Sequence, residues 1–141
     1  MSIVLSGLTS LRCLRTLNLR RNALVTAGLP VELFENEELN TLDLSHNNLT
    51  EVPEGICRAK SLLVLNLSHN NLEIVSSQLL MSCTDLLHLD LSNNSLEQLP
   101  PQLRRLTNLQ TLALSNNPLS HFQVFNILQM FLLYRKLKGA F

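Results

Sequence analysis

The chain has 141 residues and balances 11 Lys and Arg against 11 Asp and Glu, giving a formal charge of zero. That balance excludes general nucleic-acid binding, which depends on a clustered excess of basic side chains. Three cysteines, Cys13, Cys57 and Cys83, are odd in number and widely spread, which does not resemble a paired-cysteine end cap and fits a reduced compartment.

Taken in order, Met1 to Gly7 lacks both a basic start and a long apolar core, and Arg12 and Arg15 follow closely, so no signal peptide is expected. Leu5, Leu8, Leu11 and Leu14 fall at steps of three, as Leu103, Leu106 and Leu109 do later, so the chain is expected to begin inside a repeat. A frame then opens with Leu14, Leu17, Leu19, Asn22 and Leu24. It returns as Leu39, Leu42, Leu44, Asn47 and Leu49, and as Leu62, Leu65, Leu67, Asn70 and Leu72. Two further copies are Leu86, Leu89, Leu91, Asn94 and Leu96, then Leu109, Leu112, Leu114, Asn117 and Leu119. The asparagines are separated by 25, 23, 24 and 23 residues, which is the period of a leucine-rich repeat. Val25 to Pro30 lengthens the first copy, and Ala27 and Gly28 fit a looser turn there.

Two leucines separated by one residue mark a short strand, since alternate side chains share a face. Leu89 and Leu91 point inward, while His88, Asp90 and Ser92 point outward. A single unit cannot bury its own leucines, but stacked units can, each Leu contributing roughly 1.5 to 3 kcal/mol before entropy is counted. The frame asparagine offers both donor and acceptor to the turn that closes each strand. Val52 and Ile56, Val75 and Leu79, and Leu99 and Leu103 line the return halves, where Pro53 and Pro100 suit a short helical or irregular path. The expected fold is therefore α/β: a leucine-rich repeat solenoid with a curved parallel sheet on its concave face and short helical or irregular returns on its convex face.

The repeats occupy residues 1–119, and a divergent C-terminal helical segment occupies 120–141. Ser120 and Gln123 resemble a capping box. From Phe122 to Tyr134 the chain is strongly apolar, with Gln123, Asn126 and Gln129 forming one polar stripe, and Arg135, Lys136 and Lys138 end it. Thirteen residues are short of the roughly 18 to 20 that cross a bilayer, so the segment is read as a cap over the exposed leucine edge, with membrane-surface contact or docking to a neighbour as the alternatives.

The outward strand positions form rows, because adjacent strands lie about 4.8 Å apart. One row reads Asn18, Asp43, Asn66, Asp90 and Ala113, the next Arg20, Ser45, Ser68, Ser92 and Ser115, and a third Arg21, His46, His69, Asn93 and Asn116. With His88 they make a polar strip, basic at the first strand and weakly acidic beyond it. This follows the chain's charge distribution: the first 31 residues hold four Arg and no acid, and residues 32 to 54 hold seven acids and no base. The protein-binding candidates are thus Asn18, Arg20, Arg21, Asp43, Ser45, His46, Asn66, Ser68, His69, His88, Asp90, Ser92 and Asn93. His46, His69, His88 and Asp90 are also the candidate Zn(II) ligands, but they lie in different rows with no second shell, so no metal and no cofactor are expected. The serines recur with the repeat and have no dedicated base, and the four glycines are scattered, so neither nucleophilic catalysis nor a phosphate loop is expected. Cys57 and Cys83 are read as small hydrophobes on the return side. Asn48, Asn66 and Asn93 begin N-glycosylation triplets, the one feature favouring an extracellular receptor-type recognition domain.

The run from Thr84 to Leu119, TDLLHLDLSNNSLEQLPPQLRRLTNLQTLALSNNPL, and that from Leu42 to Leu72, LDLSHNNLTEVPEGICRAKSLLVLNLSHNNL, resemble the repeat region of the flightless proteins, as does the longer first copy. The similarity runs from about Leu8 to Leu119, and segments such as PPQLRRL and LLVLNLSHN go beyond what the leucine pattern demands. It implies a non-catalytic module of an intracellular protein, cytoplasmic with a nuclear role alongside, that acts in actin cytoskeleton regulation and signalling. The repeats would bind a coiled-coil or Ras-like GTPase partner. The family's gelsolin-like part is not in this stretch, so actin association is expected only indirectly.

Overall fold

A computed structural model describes residues 7–139, with side chains described through 133. Expectations resting on Met1 to Ser6, including Leu5, and on the side chains of Tyr134, Arg135, Lys136 and Lys138 lie outside the described residues.

Each frame produces one three-residue strand: β1 (Thr16–Asn18), β2 (Thr41–Asp43), β3 (Val64–Asn66), β4 (His88–Asp90) and β5 (Thr111–Ala113). They form a single parallel sheet in chain order. Register follows the frame, with Leu17, Leu42, Leu65, Leu89 and Leu112 side by side. Beyond each strand the ladder continues through the turn: Leu44 N–H donates to Asn66 O at 2.9 Å, and His46 N–H to Ser68 O at 3.0 Å.

Stacking is secured by the frame asparagines. Asn47 Nδ2 donates to Leu44 O and Ser45 O in its own turn and to Leu19 O of the preceding repeat, while its Oδ1 accepts from Asn22 and Leu24 N–H. Asn70 and Asn94 repeat the three donations, and their Oδ1 atoms accept from Leu49 N–H and Leu72 N–H respectively. Each amide thus satisfies buried backbone groups of two units at once, which no apolar residue of the same size could do.

The returns are short helices whose type follows their first residue. Pro30, Pro53 and Pro100 precede 3-10 helices at Val31–Phe34, Glu54–Arg58 and Pro101–Arg105. The third repeat lacks that proline; Ser76 accepts from Gln78 N–H and starts an α-helix, Ser77–Ser82. Proline cannot supply a side-chain cap, whereas a serine hydroxyl satisfies an otherwise orphaned donor. The longer first copy holds an additional 3-10 turn at Thr26–Gly28. Between the first two long returns the packing is close: a Cβ added at Gly55 would meet Phe34 Cδ2 at 2.5 Å. Val52, Ile56, Val75, Leu79, Leu99 and Leu103 are buried in a core continuous with the strand leucines. Cys83 is buried among them with its thiol pushed up to about 12 by desolvation, and Cys57, half-buried, is raised for the same reason.

A terminal helix, His121–Gly139, follows the fifth repeat. Ser120 caps it, its Oγ accepting from Gln123 N–H at 3.2 Å. Ile127, Met130 and Phe131 pack against the core. The larger apolar face, including Phe122, Phe125, Leu128 and Leu132, is exposed.

Candidate protein-interaction surface

The sheet's outward face is built by register. Asn18, Asp43, Asn66, Asp90 and Ala113 pair directly as one row. Each of the first four bends its Oδ1 back to the N–H two residues on: Asn18 to Arg20 at 3.0 Å, Asp43 to Ser45 at 2.9 Å, Asn66 to Ser68 at 3.0 Å and Asp90 to Ser92 at 2.9 Å. One oxygen of each side chain therefore shapes the turn, and the other polar atom is left on the outward face. Asp and Asn at the start of a turn signal this bond in sequence.

The serines differ from their expected place in an outward row. Ser45, Ser68 and Ser92 are 1, 5 and 9% exposed. Ser68 and Ser92 donate to the same Oδ1 that holds their own N–H, at 2.8 and 2.6 Å. The chain curls over at this point and puts the hydroxyl under the turn; the simple alternation of a strand ends one residue earlier. Ser45 Oγ is buried without a hydrogen-bond partner. Arg20 and Ser115, at the two end repeats, stay exposed.

The third row is strained in a regular way. Arg21, His46, His69, Asn93 and Asn116 all have φ between 53° and 58°, the left-handed region that β-carbons disfavour and that Asn and His enter more readily than most. Leucine spacing carries no signal for it. His46 and His69 stack, with ring centroids 4.0 Å apart and 11° between planes. Asn116 Nδ2 donates to Asn93 Oδ1 at 2.9 Å. Arg20 Nη2 donates to His46 Nε2 at 3.1 Å. Partial burial, then His69, Arg20 and Arg21, lower the His46 imidazolium below its usual range, against an opposing pull from Asp43.

A further row, of which the leucine frame singled out only His88, comprises Thr16, Thr41, Val64, His88 and Thr111. It arises from the same alternation that pairs His88 with Asp90 across Leu89. His88 Nδ1 lies 2.7 Å from Thr111 Oγ1. Stacked rings and an arginine on Nε2 leave His46 and His69 poorly disposed as ligands, and among the described residues no group of three or more His, Cys, Asp or Glu could hold a metal ion. Within the described residues no helix is long and apolar enough to cross a membrane.

Comparison with known proteins agrees with the geometry. The model of the family described as leucine rich repeat matches residues 12–72, 37–96 and 65–119. The mouse flightless-1 homolog is 51% identical over 72 residues, which is 51% of this chain but only 6% of that protein's length. A leucine-rich repeat protein of Leptospira interrogans superposes with a TM-score of 0.80 at 35% identity, covering 86% of this chain and 30% of the other. A chain of the BIR3–SERK2 complex from Arabidopsis thaliana gives a TM-score of 0.63 at 38% identity, covering 74% of this chain and 56% of its own.

Proposed function

The chain belongs to the leucine-rich repeat family, and from that premise we propose that it is a non-catalytic protein-interaction module that binds its partner through the concave strand face. The observation that carries this reading is the outward rows themselves. The rows that begin at Thr16 and Asn18 run across all five strands, and among the described residues no return or helix covers them. Short strands held by backbone and asparagine bonds fix the outward side chains in place, so binding loses little conformational entropy there.

The similarity to flightless-1 supports a setting in actin cytoskeleton regulation or signalling, in the cytoplasm and nucleus, with a coiled-coil or Ras-like GTPase protein as the partner. In this reading actin association is indirect, through the partner that the repeats hold. The terminal helix acts as a partial cap, its Ile127, Met130 and Phe131 covering the last leucines. Asp43 and Asp90 carry the test. Replacing both by Asn removes two charges while keeping the Oδ1 that holds Ser45 and Ser92, as Asn66 already does. Measured by calorimetry against a panel of coiled-coil and Ras-like GTPase proteins, the Asp43→Asn, Asp90→Asn chain should bind its partner about 1 to 2 kcal/mol more weakly with an unchanged circular dichroism spectrum. Unchanged affinity would move the site off this face.

A further inference from the structure

The binding face carries a group of residues that its repeats do not require. At the position after the second strand leucine the interior repeats use a buried serine; the first repeat has Arg20 instead, exposed, followed by exposed Arg21. Among the described residues neither arginine forms an ion pair with an acid. Arg20 spends one donor on the ring nitrogen of His46. A guanidinium can only donate, so Nε2 must accept and His46 is neutral, with its proton on Nδ1. His46 in turn lies flat on His69. Both histidines occupy left-handed backbone, where asparagine, as at Asn93 and Asn116, would serve the turn equally well. Imidazole at these two positions is therefore not explained by the fold.

We propose that Arg20, Arg21, His46 and His69 form a proton-coupled docking point for a cluster of Asp or Glu side chains on the protein partner. The inference rests on the strand face being the binding face. A carboxylate arriving at this point accepts from Arg20, which releases His46 Nε2; that nitrogen then takes up a proton from solvent and donates to the bound acid. No covalent bond between heavy atoms changes, and one proton is gained by the complex. The charged and titratable groups facing His46 are Arg20 and Arg21 from the first repeat, His69 from the third and Asp43 from its own strand. Without the anion three of these oppose protonation. With it, the positive charges share a counterion and the imidazolium is stabilised. Proton uptake and acid binding must then strengthen each other to the same degree.

The partner chemistry is set by the extent of the charge. The positive zone spans the ends of three neighbouring strands, roughly 10 Å at the usual spacing, and Asp43 and Asp90 lie further along the same face. A short acidic run of a protein fits that zone. A nucleic-acid backbone continuing along the strip would meet the carboxylates.

The test uses the whole chain with labelled hexaglutamate, hexaglutamine and a single-stranded oligonucleotide, followed by anisotropy at about pH 7.5 and about pH 5.5, where Glu stays mostly ionised. Hexaglutamate is expected to bind at least about fivefold more tightly at the lower pH, and NMR titration of the ring protons should show the His46 pKa rising in the complex. The Arg20→Gln, Arg21→Gln chain should lose this binding with its circular dichroism unchanged, and His46→Gln should keep binding at the higher pH while losing the pH dependence. Equal binding of hexaglutamine, no change with pH, or tighter binding of the oligonucleotide would each overturn the proposal. If hexaglutamate fails while the Asp43→Asn, Asp90→Asn substitutions still weaken the protein partner, the docking point is wrong and the strand-face reading stands. If those two substitutions have no effect, the strand-face reading itself fails.

Discussion

The third repeat and the fifth share one frame but not one environment. Leu65 and Leu67 are fully buried, Ser68 lies under its turn, and Asn70 is enclosed between neighbours. In the fifth repeat Leu112, Leu114 and Asn117 are only half-buried and Ser115 is exposed. The same residues at the same positions therefore differ in burial because one has a repeat on each side and the other has a repeat on one side and a partly engaged helix on the other. A leucine in this architecture is stabilised by the units stacked on either side of its own, so the energetics belong to the interfaces between units.

Core truncation should show that difference most strongly. Leu65→Ala is expected to cost about 2 to 5 kcal/mol in denaturant unfolding, whereas Leu112→Ala, with less surface to lose and room for solvent, should cost about half as much. Equal costs would mean that the terminal helix seals the fifth repeat as fully as a sixth repeat would. Next in size is the asparagine ladder. Asn70→Ala removes a donor shared by Leu44 O, Leu67 O and Ser68 O together with the acceptor for Leu49 N–H, and should cost roughly 3 kcal/mol. Asn117→Ala, where solvent can reach the released groups, should cost about 1 kcal/mol.

The serines sharpen the comparison within the interior itself. Ser68→Ala removes a hydroxyl bonded to Asn66 and should destabilise by about 0.5 to 1.5 kcal/mol. Ser45→Ala removes one with no partner and should be neutral or stabilising. A like cost for both would show that the Ser45 hydroxyl is satisfied in solution. The smallest effect is that of pH on His46. Its folded pKa lies below the ordinary value, so the unfolded chain takes up a proton that the native fold resists. The resulting stabilisation is complete above about pH 6.5 and declines as pH falls toward the lowered native value. His46→Asn, suited to the same left-handed backbone, should flatten that part of the stability curve.

The solenoid was legible because two features repeat together, the leucine spacing and the asparagine three residues beyond the second strand leucine. From them the five strands, their register and the buried return residues can be derived. The serine row was not legible, since alternation continues on paper past Asp43, Asn66 and Asp90, while the real chain curls and carries Ser45, Ser68 and Ser92 inward. The turn-holding role of the Asp and Asn row was partly signalled by residue type, but the left-handed backbone of Arg21, His46 and His69 was hidden because none of these is glycine. His46 stacking on His69 could be anticipated from the 23-residue spacing between them. The Arg20 bond to His46 could not, because it depends on a side chain reaching across one strand spacing. In the terminal helix the pattern indicated an amphipathic segment with a polar stripe of Gln123, Asn126 and Gln129. Packing instead selected the narrow set Ile127, Met130 and Phe131 and left the broader apolar face exposed.

The proposed reading puts the chain's recognition chemistry on the strand side of the solenoid, and chemical-shift mapping of the isotopically labelled chain tests that most directly. With the tightest-binding member of the coiled-coil and GTPase panel added, the amides of Arg20, Arg21, Asp43, His46, His69 and Asp90 should move in a saturable way, while those of Gln78, Arg104 and the terminal helix stay in place. Shifts confined to the returns or to the terminal helix, with the strand rows unmoved, would contradict the account.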